Sequence, residues 1–508
     1  MAAAMWAGGR ICVYDAPQVK DCWCPVRSTG DLGHGRCPLP SAMRLSCAAR
    51  PPARIQALVR VVDGSGSLAD LPPPLRAALD ERLRFAPVAV LPSLGLLPQP
   101  VIAAVRAPCW DDAVEARRRG GALARALTAE RVGSAAIAAT GLSEPFLVGL
   151  DQGTYVWDRY QPRPASRLAE LMLLTPQPAA QAALIAAAQG QATWVSRCRD
   201  LVNLPAEELG PEEFVAMARP LARAAGVKLR LLDERACTRL GMGCLLAVGR
   251  ASPRRPRLLV LELSGRGKGA PLALCGKGVC FDTGGLNLKN ADGMALMRKD
   301  MAGAASVLCA LLAAAARGRP QRTVRAYLPL VENCIGSRAF RPGDVLRALD
   351  GTTVEIGNTD AEGRLILADA IALAKREGAG EIVSVATLTG AALTALGRIH
   401  VPLMATDDAL AARILAAAQT SGEKLWRLPL DHEHKAMIRG QVAQLNNAPG
   451  GGEAGCITAG AFVAHFAGDT PFAHLDISPA SWMPKPWELG PPGATGTIVT
   501  TLTGLACG

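Results

Sequence analysis

The stretch "RLLVLEL", Arg257–Leu263, carries apolar side chains at consecutive positions, not at every second one. A strand with one wet face alternates, whereas a strand covered on both faces does not, so this run predicts a sheet with helices on either side. Similar runs at 272–279, 324–331, 382–387 and 473–477 extend the sheet, and 211–225, 303–317, 361–377 and 407–419 read as helices. The second half of the chain is therefore α/β. In open α/β sheets, sites form in the loops that leave the strands, so those loops hold the candidate chemistry.

At 508 residues the chain exceeds one ordinary core, which points to two domains. Residues 1–50 read as a disordered or targeting-like extension: acids at Asp15 and Asp21 break a signal-peptide plan, while "MRLSCAARPPAR" from Met43 is arginine-rich and acid-poor like a transit peptide. Residues 51–178 alternate short apolar runs with Ala/Arg-rich helical stretches, as a smaller α/β domain does, and the turn-rich "RYQPRPAS" at 159–166 is a boundary signal. Residues 179–508 form the larger domain, entered through an Ala-rich helix at 179–202.

The net charge of +11 permits attraction to nucleic acid, yet the arginines are scattered and no basic run is interleaved with aromatics, so nucleic acid is not expected as the main partner. No run of 18 apolar residues occurs, which predicts no membrane-spanning helix. The 15 cysteines include no C-x-x-C pair, and Cys198, Cys244, Cys275, Cys280 and Cys309 sit in apolar runs, as small core residues of a reducing, cytoplasmic compartment do.

Two loops are rich in charge. Residues 275–305, "CGKGVCFDTGGLNLKNADGMALMRKDMAGAA", hold Lys277, Asp282, Lys289 and Asp300, with Gly284 and Gly285 allowing a tight turn beside Asp282. Residues 358–365, "NTDAEGRL", hold Asp360, Glu362 and Arg364 after a short apolar strand. Each has an ordinary explanation taken alone: turn glycines, a capping acid, solvated lysines. Taken together, four carboxylates at strand ends of one domain repel one another unless cations lie among them. Lys277, Lys289 and Arg364 supply part of that charge, and a pair of divalent ions would supply it better and perform hydrolysis. The six histidines do not fall in these segments; His432-Glu433-His434 lacks the i, i+4 spacing of a zinc helix, and His474 reads as a packed core residue, so any metal centre must be built from oxygen ligands.

The blocks "GKGVCFDTGG", "MRKDMAGAA" and "NTDAEGRL" resemble the signature of the leucyl aminopeptidases, the cytosol aminopeptidase family of dinuclear zinc or manganese exopeptidases. The likeness continues through "VENCIGSRAFRPGDVL", "ATLTGAALTALG", "AGCITAGAF" and "HLDIS", from about Arg199 onward.

That resemblance implies a catalytic domain with a mixed, mostly parallel sheet flanked by helices, behind a smaller macrodomain-like α/β domain. It implies that Lys277, Asp282, Asp300 and Glu362 hold one metal ion and Asp282, Asp360 and Glu362 a second. Lys289 then stabilises an oxyanion, and Arg364 holds a bicarbonate that serves as base. Met297, Thr387 and Gly390 line the pocket for the first side chain of a peptide substrate, with leucine-like preference. Ser478-Pro479, where the family commonly has Ala-Gly, makes that wall stiffer and more polar. The resemblance also implies a homohexamer, and some bacterial relatives add DNA binding, the alternative to a peptidase alone. Gly363 is expected to permit a backbone turn between the ligands and Arg364.

Overall fold

The computed structural model describes residues 43–508 apart from 64–66, 109, 139–140, 163–165 and 451. The expected extension lies outside the described residues up to 42, but its end does not. Met43 is buried and β1 (Arg44–Ala48) pairs in parallel with a strand far down the chain, so the stretch that looks like a transit peptide is an edge strand. Leu45 and Cys47 supply its buried face.

Five further strands, β2 (Ala57–Val62), β3 (Val88–Pro92), β4 (Val101–Arg106), β5 (Ser134–Ala138) and β6 (Glu170–Leu174), complete a six-stranded sheet ordered β1-β6-β5-β2-β4-β3. All neighbours are parallel except β3 with β4. Both faces are covered. Ala103 and Val105 of β4 pack with the helices Ala113–Ala129 and Glu144–Gly153, while Ile102 and Ala104 pack with Pro73–Phe85. Because β6 follows the turn-rich 159–166 stretch in sequence and belongs to this same sheet, the domain continues past that stretch.

The helix Pro178–Asn203 joins the domains: Ile185 and Ala188 belong to the smaller core, Val195, Cys198 and Leu201 to the larger. Near its end Arg199, fully buried, stacks 4.1 Å from the Tyr155 ring centre and donates to the carbonyls of Gln152, Leu489 and Ala494.

The larger domain contains β7 (Lys228–Leu232), β8 (Arg257–Leu263), β9 (Leu272–Gly276), β10 (Gly278–Asp282), β11 (Val324–Asn333), β12 (Val345–Arg347), β13 (Thr353–Glu355), β14 (Glu381–Ala386), β15 (Val401–Ala405), β16 (Leu425–Arg427), β17 (Leu445–Asn446) and β18 (Phe472–Asp476). A nine-stranded mixed sheet runs β16-β15-β18-β14-β9-β11-β8-β7, with β10 beside β11; β12, β13 and β17 form a separate small sheet. The centre, β18-β14-β9-β11, is parallel and the flanks add antiparallel pairs. "RLLVLEL" is covered on both faces as its composition predicts: Leu259 and Leu261 share a core with helix Pro211–Ala224, Leu258 and Val260 with helix Glu234–Leu240. The stretch Met297–Arg317 is long and apolar enough to cross a membrane by composition, but 83% of its most apolar window is buried inside the domain.

The expected single strand at 272–279 is in fact two. β9 pairs with both β11 and β14, whereas β10 pairs with β11 alone, and the break falls at Lys277. There the Lys277 N–H donates to the Val385 carbonyl, and its own carbonyl accepts from Ala304.

Candidate active site

The parallel centre of the large sheet sends its carboxyl ends to one edge. Asp282 ends β10, Asn333 ends β11, Thr387 follows β14 and Asp476 ends β18. Asp300 lies in the 3₁₀ turn Met297–Met301 that leads into helix Ala302–Arg317, where the helix dipole favours an acid. Glu362 is the first residue of helix Glu362–Arg376, and Asp360 lies just before it.

The structure brings the predicted ligands together. Asp282, Asp360 and Glu362 each offer an oxygen within 4.8 Å of the others. Lys277 Nζ sits 2.8 Å from Asp300 Oδ2, 2.8 Å from Glu362 Oε1 and 2.8 Å from the Thr387 carbonyl. Lys289 Nζ is 2.8 Å from Asp282 Oδ2 and also pairs with Asp360 Oδ1. All of these except Lys289 and Asp360 are buried.

The electrostatics follow from that crowding. Burial, with Glu362 and Asp300, raises the Asp282 carboxyl well above its ordinary range, while Lys289 and Lys277 oppose the shift. Burial pushes Asp300 up to about 6 against Lys277. Burial disfavours both ammoniums, but the surrounding acids outweigh it and raise the pKa of each. Glu362 goes the other way, because Lys277 and Lys289 overcome its burial. Its Oε2 is nevertheless buried without a hydrogen-bond partner, which is the expected state of an oxygen that serves a cation.

Gly363 corrects one expectation. It is a helical residue and makes no turn. A side chain there would place Cβ 2.5–2.6 Å from Lys277 Cδ, Cε and Nζ, so its bare backbone is the room into which Lys277 extends. The turn is made by Gly284 (φ +84°) and Gly285 (φ +63°), while the Gly284 N–H donates to Asp282 Oδ1 at 2.8 Å.

Arg364 is buried, and burial holds its pKa down to about 10 against Glu362 and Asp476. Its Nη1 donates to the Asn447 carbonyl at 2.5 Å, leaving Nε buried and unpartnered. Thr387 donates from Oγ1 to Asp300 Oδ1 at 2.7 Å; half-buried Met297 opens the same 3₁₀ turn, and Gly390 opens the helix Gly390–Leu396. The Ser478 hydroxyl donates to Asp476 Oδ1 at 2.6 Å and accepts from the Thr389 N–H at 3.1 Å, so it is committed to holding two loops together.

Several supports escaped sequence reading. Asn447, fully buried, accepts at Oδ1 from the Gly357 and Asn358 N–H groups and donates from Nδ2 to the Asn358 and Ala361 carbonyls. Asn333 donates from Nδ2 to Asp282 Oδ1 and the Thr359 carbonyl. Thr359 donates to the Gly284 carbonyl and accepts from Asn287 N–H, tying the two ligand loops together. The available signal was that Asn333 and Thr359 lie in motif blocks; "QLNNAPGG", around Asn447, offered none. His474 is a core residue as expected, with Nδ1 2.7 Å from Ser384 Oγ, and His432 and His434 lie on a short helix without buried residues.

The family described as "Cytosol aminopeptidase family, catalytic domain" matches residues 196–503. The probable cytosol aminopeptidase of Solibacter usitatus is 40% identical over 403 residues, 78% of this chain and 84% of that protein. That of Syntrophotalea carbinolica is 39% identical over 443 residues, covering 84% and 88% respectively. Among solved structures, the cytosol aminopeptidase from Coxiella burnetii superposes with a TM-score of 0.77 at 30% identity, covering 90% of this chain and 97% of its own. The bottromycin maturation enzyme BotP in complex with Mn superposes with 0.78 at 34% identity, covering 89% and 98%. With the ligand residues gathered at the sheet edge and these likenesses spanning both domains, the chain belongs to the cytosol aminopeptidase family of peptide hydrolases.

Proposed function

We propose that the chain is a metal-dependent aminopeptidase that releases N-terminal residues from peptides. Lys277, Asp282, Asp300 and Glu362 would hold one divalent ion and Asp282, Asp360 and Glu362 a second, zinc or manganese. When bound, the pair supplies Lewis acidity and makes water a nucleophile at neutral pH. The observation that carries the reading is the three-carboxylate cluster within 4.8 Å, in which buried Glu362 Oε2 has no hydrogen-bond partner.

The chain's own residues divide the remaining work. Lys277 takes part as a neutral amine, a form that neighbouring dications favour. Lys289, beside Asp282, stays charged and donates to the oxyanion that develops on the scissile carbonyl. Arg364, with its unpartnered Nε, would hold a planar anion such as bicarbonate, a group that would supply a general base beside the site. Asp300 receives the free α-amine, which limits cutting to the first residue. Met297, Thr387 and Gly390 line the pocket for that residue's side chain. Because the Ser478 hydroxyl is engaged elsewhere, the apolar, leucine-like preference survives the Ser478-Pro479 departure. A homohexamer in the cytoplasm completes the reading, resting on the family resemblance and the relatives' names.

Hydrolysis of a panel of aminoacyl amides, by protein stripped of metal and then restored with zinc or manganese, tests this. Activity is expected only with metal, and near-total loss in Lys289→Ala and Glu362→Ala at unchanged folding. Normal turnover by either variant would overturn the roles assigned.

A further inference from the structure

The turn at 439–444 has little apolar packing to hold it. None of these residues is buried and Val442 is 83% exposed, although Ile438 before them and Leu445 after them belong to the core. The turn is gripped instead by a side chain from outside it. Glu355, the last residue of β13, accepts at Oε1 from the Gln441 N–H (3.0 Å) and Asn446 Nδ2 (2.9 Å), and at Oε2 from the Val442 and Ala443 N–H groups (2.6 and 3.1 Å). Three successive backbone donors aimed at one carboxylate form a nest for an anion, and they hold the Glu355 carboxyl below its ordinary range.

The turn delivers Asn446 and Asn447. Asn446 stands opposite Glu355 where β13 meets β17, and the Asn447 N–H donates to the Glu355 carbonyl at 3.1 Å. Glu355 thus grips this strap by both carboxylate and backbone. Asn447 then meets the active site twice. Its side chain binds backbone groups of Gly357, Asn358 and Ala361, in the segment that carries Asp360, and its carbonyl receives Arg364 Nη1 at 2.5 Å.

Exposure decides what the grip is for. Gln441 and Val442 lie at the surface, where water replaces a lost acceptor at little cost, so the stability that this carboxylate supplies is small. Its larger effect is on where Asn447 sits. We infer that Glu355 is a positioning residue for the hydrolysis, setting the 441–447 strap so that the Asn447 carbonyl aims Arg364. This role rests on the peptidase reading, which gives Arg364 its part in the chemistry.

Two measurements on the full chain test it. Hydrogen exchange of the metal-free protein, followed by mass spectrometry, needs no turnover. In Glu355→Ala, peptides covering 441–447 and 357–364 should exchange faster together while the rest of the chain is unchanged. Faster exchange at 441–447 alone, or at neither, would overturn the inference, because the acid would then hold only its own turn. Steady-state kinetics of the metal-restored protein on leucinamide supplies the second test. Glu355→Ala should lower kcat about tenfold or more with KM nearly unchanged, the scale of a displaced support, and Glu355→Gln, which keeps one accepting oxygen, should fall between. In an Arg364→Ala background Glu355→Ala should lower kcat no further. Equal fold losses in both backgrounds, or wild-type kcat in Glu355→Ala, would overturn the role and leave the peptidase reading intact. Absence of wild-type turnover with either zinc or manganese would overturn that reading, and this role with it.

Discussion

Gly363→Ala separates two opposing effects that the structure sets against each other. In a helix, alanine in place of glycine stabilises by up to about 1 kcal/mol. Here the new Cβ would lie 2.6 Å from Lys277 Nζ and 2.5 Å from Cε, where ordinary carbon contacts need about 3.5–4.0 Å. In the metal-stripped protein the ammonium must therefore retreat by about 1 Å, which carries contacts of 2.8 Å with Asp300 and Glu362 out of hydrogen-bond range. Losing two charge-assisted contacts in a buried site costs roughly 2–4 kcal/mol after relaxation, so the clash wins over helix propensity. Urea unfolding of four proteins, wild type, Gly363→Ala, Lys277→Ala and the double variant, measures the coupling. Gly363→Ala is expected to destabilise the wild type by that amount and to abolish most activity. In the Lys277→Ala background it should become neutral or stabilising. Equal destabilisation in both backgrounds would show that Gly363 does not serve Lys277.

Asn447→Ala strands backbone N–H groups of Gly357 and Asn358, which should cost about 2–4 kcal/mol in denaturant unfolding and weaken manganese binding about tenfold or more; unchanged affinity in a metal titration would remove Asn447 from the support of the site. His474 is held down to about 4 by burial, against 6.5 for an ordinary histidine. As pH falls the unfolded chain takes that proton first, so its contribution to stability is full above 6.5 and disappears as pH falls toward 4. Between pH 6.5 and 4 the wild type should therefore lose stability more steeply than His474→Gln, and parallel unfolding curves across that window would show that this histidine is not the titrating group. Saturating manganese at about a hundred times its Kd should raise the stability of the metal-stripped protein by about 2.7 kcal/mol, seen as a higher Tm, and the shift should vanish in Glu362→Ala.

The large sheet was legible because doubly covered strands lose polar alternation, and "RLLVLEL" does so plainly. The acids were legible because each stands at a strand end or helix start, where loops are short and side chains are aimed by the backbone. What stayed hidden depends on partners distant in the chain. The break at Lys277 arises because β10 follows β11 and leaves β14, a choice no local periodicity records. Gly363 looked like a turn residue because its true reason is a lysine brought in by the sheet. Arg44–Ala48 has too few apolar residues to announce a strand, and it becomes one through pairing with β6. Ser478 reads as a polar intrusion until Asp476 and Thr389 are seen around it.

The loops that carry the ligands are braced by residues further downstream. Asp282 to Glu362 are complete well before Asn447 and Asp476, which clamp the segments at 357–361 and 388–389. A nascent chain leaving the ribosome thus exposes every proposed ligand before it owns the braces that align them. Competence to cut peptides arrives only with the late strands, after most of the polypeptide has already been built.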